Sequence, residues 1–395
     1  MVKQGGCAPL PAADLAAALA PFGRSRMLPR EAYVDPEVFD WEQRNIFSGW
    51  TCVGHASDID PVGAQRAVGS GANGVLLVRS ETGEVRAFAN VCRHRGHELL
   101  ACGEATKKRS IICPYHSWSY RLDGALRNAP GFRNAENFDF DPGEFGLTEL
   151  RLMDWHGWLF VDPSGRDADF AEHVAGLEDI VGPYGPEDLT IVDRHSYELA
   201  ANWKVIVENY QECYHCSTIH PELSRVSPPS SGETLDLEGS WLAGWMSIVE
   251  GAETMSLTGK SGGVAIAGLS EQQLRTVMYV VGYPNLLVSL HPDYVMTHLM
   301  MPLAVDRTYV ECTWAFPKDV AAQPDFRPSY AVDFWDLTNR QDWGACESVQ
   351  RGLTSPLARP GPLAPDEEAV YQFVTRVARA YSDPDGSAGE RSANA

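Results

Sequence analysis

Between Trp50 and about Val161 the chain runs in short apolar stretches cut by Gly, Asp and Pro. "VLLVRS", "VRAFANV", "SIICPYH" and "WLFVD" are four of them. Such short, turn-bounded runs predict a small all-β domain. "LDG" at Leu122 to Gly124 supplies hairpin chemistry within it. A stretch rich in Asp, Glu, Gly and Pro, about 162–189, predicts a linker. Then "VDRHSYELAANWKVIVENYQECYH" moves from strand to helix, with the helix starting near Asn202. "SWLAGWMSIV", "TVMYVVGYPNLLVSLH", "YVMTHLMMPLAV" and "RTYVECTWAFP" follow and suit an antiparallel sheet. "SYAVDFWDLTNRQDWGACESVQRGL" predicts the longest helix, ending near Gly352, and "DEEAVYQFVTRVARAY" predicts another. The expected fold class is therefore α+β, an all-β domain followed by an antiparallel sheet covered by long helices.

A length of 395 residues fits two domains. The expected layout is an N-terminal arm at 1–45 packed on the second domain, a β domain at 46–165, the second domain at 166–382, and a disordered tail at 383–395. The arm reads as extended, with a short Ala-rich helix near Asp14 to Leu19. The tail, "SDPDGSAGERSANA", is too polar to build a core.

Charge narrows the partners. A net charge of −21 argues against nucleic acid and anionic lipid. No apolar run is long enough to span a bilayer, and Pro and Asp interrupt the N-terminus where a signal peptide needs a continuous apolar stretch. The chain is read as cytoplasmic. Lys107, Lys108 and Arg109 form a local basic stretch, read as a solvated loop tip or a contact for an acidic redox partner. Nine cysteines in such a chain argue against a disulfide framework and for metal or redox roles.

Two clusters carry the chemistry. The first is "CRHRGHELLACGEATKKRSIICPYH", from Cys92 to His116. Cys92 with His94, and Cys113 with His116, form two mixed pairs. A Cys2His2 set can hold zinc, but zinc fingers group Cys with Cys and His with His. Mixed pairs on two turns favour a [2Fe–2S] cluster and leave the imidazoles on the exposed side. His97 fits neither ligand slot, Cys102 reads as a buried apolar residue, and Trp118 as core under the second loop.

The second cluster is "ENYQECYHCSTIHPEL". On a helix Glu208, Glu212 and His215 share a face. Pro221 pushes His220 out of the α region, so the helix is expected to break near Thr218 and return His220 to His215. Two imidazoles and one carboxylate make the facial triad of non-haem Fe(II) oxygenases. The long helix offers Asp333, Asp336, Asp342 and Glu347 as the third member.

"CRHRG", "CPYHSWSY" and the second cluster together resemble the large (alpha) subunit of Rieske-type non-haem iron oxygenases, from about Trp50 to Gly352. The resemblance implies a Rieske domain followed by a helix-grip-like catalytic domain. It implies that Cys92 and Cys113 bind one iron of the [2Fe–2S] cluster, and His94 and His116 the other. It assigns His215, His220 and Asp342 to the mononuclear iron, because the family places that aspartate eight residues before a glutamine, here Gln350. Glu212 becomes the acid that bridges a Rieske histidine of one subunit to His215 of the next, with Glu208 as its rival and Asn209 beside it. Ring-hydroxylating dioxygenases usually have Asp there. Glu is similar to carnitine monooxygenase.

The resemblance further implies dioxygen as oxidant, electrons from NAD(P)H through a flavin reductase or ferredoxin, and a head-to-tail homotrimer. "HPEL", "GAETMSLTGKSGG" and "YPNLLVSLHPDYVMTH" resemble the glycine betaine, stachydrine, choline and carnitine subgroup. That subgroup hydroxylates a carbon next to a quaternary nitrogen, which for an N-methyl group ends in demethylation. Tyr210, Trp241, Trp245, Tyr283 and Phe334 are the candidates for an aromatic box around such a cation. An aromatic-ring hydroxylase, or more remotely a non-catalytic Rieske electron carrier, are the rival readings. A carrier needs no second domain and no triad.

Overall fold

The computed structural model describes residues 6–132, 139–166, 168–235 and 239–383. Apart from Asp383, the expected tail lies outside them. The chain forms two compact units. One is a single stretch, Ile46–Phe170; the other combines Met1–Asn45 with Ala171–Ala395.

In the Ile46–Phe170 unit, Asn73–Arg79 shows why "VLLV" is apolar without interruption. Leu76 and Val78 enter one core cluster with Phe88, Cys92, Cys113 and Trp118. Val75 and Leu77 enter another with Val53, Ala87, Leu159 and Val161. A strand buried on both faces gives up the usual polar alternation. Around it lies a seven-stranded antiparallel sheet in the order Thr51–His55, Trp158–Asp162, Glu149–Trp155, Val85–Ala89, Asn73–Arg79, Ala64–Ser70, Ala105–Lys107. The edge strand Ala105–Lys107 runs into exposed Lys108 and Arg109, and charge on a sheet edge discourages further pairing. A small sheet of Ile111–Ile112, Ser119–Tyr120 and Leu126–Asn128 completes the unit.

The 162–189 stretch differs from the expected linker. It ends the strand Trp158–Asp162, then turns through the short helices Phe170–His173 and Glu178–Val181. Phe170, Leu177 and Val181 are buried, which gives these turns apolar anchors that a free linker lacks.

The other unit holds a seven-stranded antiparallel sheet. Its order is Leu189–Leu199, Arg307–Pro317, Val295–Ala304, Leu286–Leu290, Thr276–Gly282, Trp241–Ser247, Gly232–Thr234. The helix Ser329–Leu353 buries Ala331, Phe334, Trp335, Thr338 and Asn339, which recur at helical spacing. Asn202 caps the helix Trp203–Tyr210 by accepting from the Lys204 N–H. Gln350 locks the two helices together. Its side chain accepts from the Asn202 N–H at 2.9 Å and donates to the Tyr33 carbonyl at 3.2 Å.

The arm is more helical than extended, with Glu31–Val34 and Pro36–Asn45 as helices. Its Glu42 carboxylate is fully buried. It accepts from Lys204 Nζ at 2.5 Å, from Trp203 Nε1 at 2.8 Å and from the Tyr381 hydroxyl. Burial lowers the Lys204 ammonium pKa against the pull of Glu42. A charge this deep is tolerated because each partner is hydrogen-bonded.

Candidate functional site

Two short loops in the Ile46–Phe170 unit repeat one design. The Cys92 N–H donates to the His97 carbonyl and the Cys113 N–H to the Trp118 carbonyl, both at 2.8 Å. The Gly96 N–H returns to the Cys92 carbonyl at 3.0 Å, and the Ser117 N–H to the Cys113 carbonyl at 3.1 Å. Each loop thus closes through a residue in the left-handed region, Gly96 at φ 72° and Ser117 at φ 60°. Cys92 and Cys113 are each 2 % exposed. His94 and His116 are half-buried, with ring centroids 4.7 Å apart.

Side chains below the loops fix these groups. Trp118 is buried and stacks flat on His94 at 4.8 Å. Tyr120 Oη accepts from the Arg93 N–H at 3.1 Å, leaving its own proton for Cys92 Sγ 3.2 Å away. His116 Nδ1 is buried with no hydrogen-bond partner. Two buried thiols and an orphaned imidazole nitrogen suit a metal cluster. His97 is exposed and bonds the Glu98 carbonyl. Cys102 corrects the expectation of a buried residue. It is exposed on a turn whose next residue, Gly103, has φ 85°.

In the other unit His215, His220 and Asp342 converge, with ligand atoms all within 4.8 Å of one another. The two Nε2 atoms are 3.1 Å apart. Asp342 Oδ1 lies 2.8 Å from His220 Nε2 and 3.3 Å from His215 Nε2. Neighbouring ligands about 2.1 Å from a metal sit roughly 3 Å apart, so the three atoms fit one side of a coordination sphere. The far nitrogens are held. His215 Nδ1 donates to Glu212 Oε1 at 2.5 Å, and His220 Nδ1 to Gln341 Oε1 at 2.7 Å. These bonds select the tautomer that points both Nε2 lone pairs at the centre. Asp333 is exposed, Asp336 accepts from Tyr197 and Arg340, and Glu347 accepts from the Ala200 N–H. Those three acids are engaged or exposed elsewhere.

Converging acceptors shift the titrations. Burial disfavours a charged His215, but hydrogen bonds to Asp342 and Glu212 outweigh it and lift the imidazole to about 10. His220 moves up for the same reasons, with Asp342 and Gln341 opposing burial. Burial works against the Asp342 carboxylate, yet the two imidazoles hold its pKa below the usual range. A proton is drawn to this centre, as a divalent cation would be.

The local path differs from one continuous helix. Trp203–Tyr210 ends before Glu212, and Cys216–Ile219 and Pro221–Val226 are separate helices. Glu212 Oε2 accepts from the His215 N–H at 3.1 Å, a side-chain bond that competes with helical pairing. Glu208 therefore does not share a face with His215. It is buried and accepts from Tyr33 Oη at 2.7 Å, and burial lifts its carboxyl to about 8 against the hydrogen bond from Tyr33. Cys213 and Cys216 form a disulfide around His215, a single local bridge rather than a disulfide framework. It closes a turn between residues three apart, with Cα atoms 4.9 Å apart, so it constrains the unfolded chain little.

A cavity of about 470 Å³ opens beside the triad. Tyr210, Trp245 and Asn209 line it; Trp241, Tyr283 and Phe334 do not. The indole N–H of Trp241 donates to the Ala175 carbonyl, Tyr283 faces Trp203 and Arg376, and Phe334 is core. Tyr279, Trp335 and Trp343 take their places. The signal was present in "WDLTNRQD". Trp335, Thr338, Asn339 and Asp342 stand at i, i+3, i+4 and i+7, so the face that carries Asp342 also lines the cavity. Phe334 lies roughly 100° round that helix from Trp335.

Comparison with known proteins agrees with this geometry. A family model described as the ring hydroxylating alpha subunit (catalytic domain) matches residues 186–383, and one described as the Rieske [2Fe–2S] domain matches 49–139. The glycine betaine monooxygenase oxygenase subunit of Chromohalobacter salexigens is 31% identical over 378 residues, covering 88% of this chain and 84% of that one. The carnitine monooxygenase oxygenase subunit of Escherichia coli (strain K12) is 38% identical over 203 residues, 50% of this chain and 53% of that one. The solved structure of a quaternary ammonium Rieske monooxygenase superposes with a TM-score of 0.77 at 23% identity, covering 95% of this chain and all of that one. No helix among the described residues is long and apolar enough to cross a membrane. The chain belongs to the Rieske-type ring-hydroxylating oxygenases, as an alpha subunit that pairs a [2Fe–2S] domain with a mononuclear-iron catalytic domain.

Proposed function

We propose that the chain is the terminal oxygenase of a monooxygenase that hydroxylates a carbon next to a quaternary or tertiary amine nitrogen. The observation that carries this is the cavity beside the triad, with five aromatic side chains, Tyr210, Trp245, Tyr279, Trp335 and Trp343. Aromatic faces attract a cation that has little hydrogen bonding to offer. Relatives named for glycine betaine and carnitine point the same way.

In this reading Cys92, Cys113, His94 and His116 hold the [2Fe–2S] cluster, and His215, His220 and Asp342 hold the mononuclear iron. When bound, the two groups supply electron storage and dioxygen activation, fed from NAD(P)H through a flavin reductase or ferredoxin. Glu212 keeps His215 in its ligating tautomer, and Gln341 does the same for His220. The aromatic walls seat the ammonium group and exclude water from the carbon to be attacked. Overall, an N-methyl group, dioxygen, two electrons and two protons give an N-hydroxymethyl group and water. From a quaternary nitrogen that product breaks its C–N bond to release formaldehyde, a tertiary amine and a proton. Glu212 beside His215 also suits the bridging role across a head-to-tail homotrimer, and a pyridine-nucleotide supply suits a cytoplasmic enzyme.

The test needs no partner protein. Iron-loaded chain is reduced chemically, mixed with oxygen and a panel of trimethylammonium compounds, and quenched. Formaldehyde, up to one per mononuclear iron, is expected. Hydroxylated aromatic acids without formaldehyde from any amine would establish aromatic-ring hydroxylation instead.

A further inference from the structure

We infer that the cavity selects a cation without a carboxylate, and so discriminates against betaine-type zwitterions. The inference rests on the amine reading above and narrows it. Among the described residues that line the cavity there is no Lys and no Arg. Five carboxylates line it instead. Glu212 and Asp342 stand at its base, and Glu233, Asp366 and Glu368 are exposed at its rim.

Charge balance at the base sharpens the point. An iron dication held at the triad would be matched in charge by the Asp342 and Glu212 carboxylates, which lie against its two histidines. No surplus positive charge is left for a substrate carboxylate. The field of the acids reaches beyond the lining. Burial first, and then the charges of Glu212 and Asp366, raise the neighbouring Glu367 carboxyl above its usual range despite a hydrogen bond from the Ala364 N–H. An ionised carboxylate entering such a site loses water and meets like charge, with no cation to compensate.

Three lining side chains carry a buried polar atom without a partner, Tyr279 Oη, Trp343 Nε1 and His298 Nδ1. The first two are neutral donors. A hydroxyl or ether oxygen suits them, since a neutral acceptor needs no counter-charge. The substrate class that fits is an alkylammonium of net positive charge, bearing at most an uncharged oxygen.

Calorimetric titration of the iron-loaded full chain tests this with three matched probes. Choline is the cation with a neutral oxygen, glycine betaine the zwitterion, and 3,3-dimethylbutan-1-ol the uncharged carbon analogue of choline. Choline is expected to bind at least about tenfold more tightly than glycine betaine, a difference of about 1.4 kcal/mol, and the carbon analogue most weakly. Glycine betaine binding as well as choline overturns the inference and leaves the amine reading standing. The carbon analogue binding as well as choline, or none of the three binding, overturns the amine reading itself. A triple variant, Glu233→Gln with Asp366→Asn and Glu368→Gln, is checked for folding by circular dichroism and titrated alongside. Its choline-to-betaine preference should fall several-fold. An unchanged preference overturns selection by the rim charges.

Discussion

Cys92, His94, Cys113 and His116 lie on two neighbouring loops, and backbone hydrogen bonds close each loop by the same pattern. His215, His220 and Asp342 come from chain positions up to 127 residues apart, 342 less 215. They are aimed by other side chains, Glu212 and Gln341. The first site's loops are closed by main chain, so their backbone path survives most side-chain changes around it. The second depends on how a turn and a 25-residue helix pack, and on two acceptors that hold the imidazoles. One is a rigid socket; the other can be detuned by degrees.

Reciprocal ligand changes test that independence most severely. Asp342→Ala should lower turnover by on the order of 10³-fold or more while leaving the visible absorbance of the [2Fe–2S] cluster intact. Cys113→Ser should bleach that absorbance and stop turnover, yet leave one mononuclear iron per chain by metal analysis. Loss of both metals in either variant would show that the sites are not independent. Gln341→Ala is the graded version. It removes the acceptor for His220 Nδ1–H and should weaken iron binding by roughly 10–100-fold, read by chelator competition. Glu in its place should restore most of the affinity.

Acid should separate the units next. His291 is fully buried against Tyr294 and Trp335, and burial holds it neutral well below its usual pKa. The unfolded chain takes up its proton below about pH 6.5 and the folded chain does not. Stability should therefore fall as pH drops below that value, by up to about 1.4 kcal/mol per pH unit from this residue. His291→Phe should flatten the urea midpoint against pH in that range. An unchanged slope would remove His291 as the cause. The smallest effect belongs to the socket. Ser117→Gly relieves a left-handed residue and should raise the melting temperature by the equivalent of about 1 kcal/mol, with the cluster spectrum unchanged.

What could be read in advance follows the same division. The two loops were legible because their cysteines, histidines, turns and left-handed positions all lie between Cys92 and Ser117. The triad was legible as residues, since Pro221 does break the helix at His220. The path between them was not, because Glu212 captures the His215 N–H and ends the helical reading early. The partner of Glu208, Tyr33 in the arm, was not legible either, because it comes from 175 residues away. Trp241, Tyr283 and Phe334 were chosen by residue type alone. Tyr279 and Trp335 required knowing which face of each element meets the cavity. Cys102 was misplaced because a cysteine's burial is set by the turn it occupies.

Glu42 has a consequence for synthesis. Glu42 leaves the ribosome well before Tyr381, one of its partners, which is made 339 residues later. At roughly 5–20 residues per second that is a wait of tens of seconds. During that interval the continuous stretch Ile46–Phe170 is complete and free to fold, and Glu42 can meet Trp203 and Lys204 but not yet Tyr381. The catalytic unit therefore gains its full set of contacts to Glu42 only once Tyr381 is made. A ribosome stalled before Tyr381 would carry a folded β unit tethered to an arm whose Glu42 still lacks that contact.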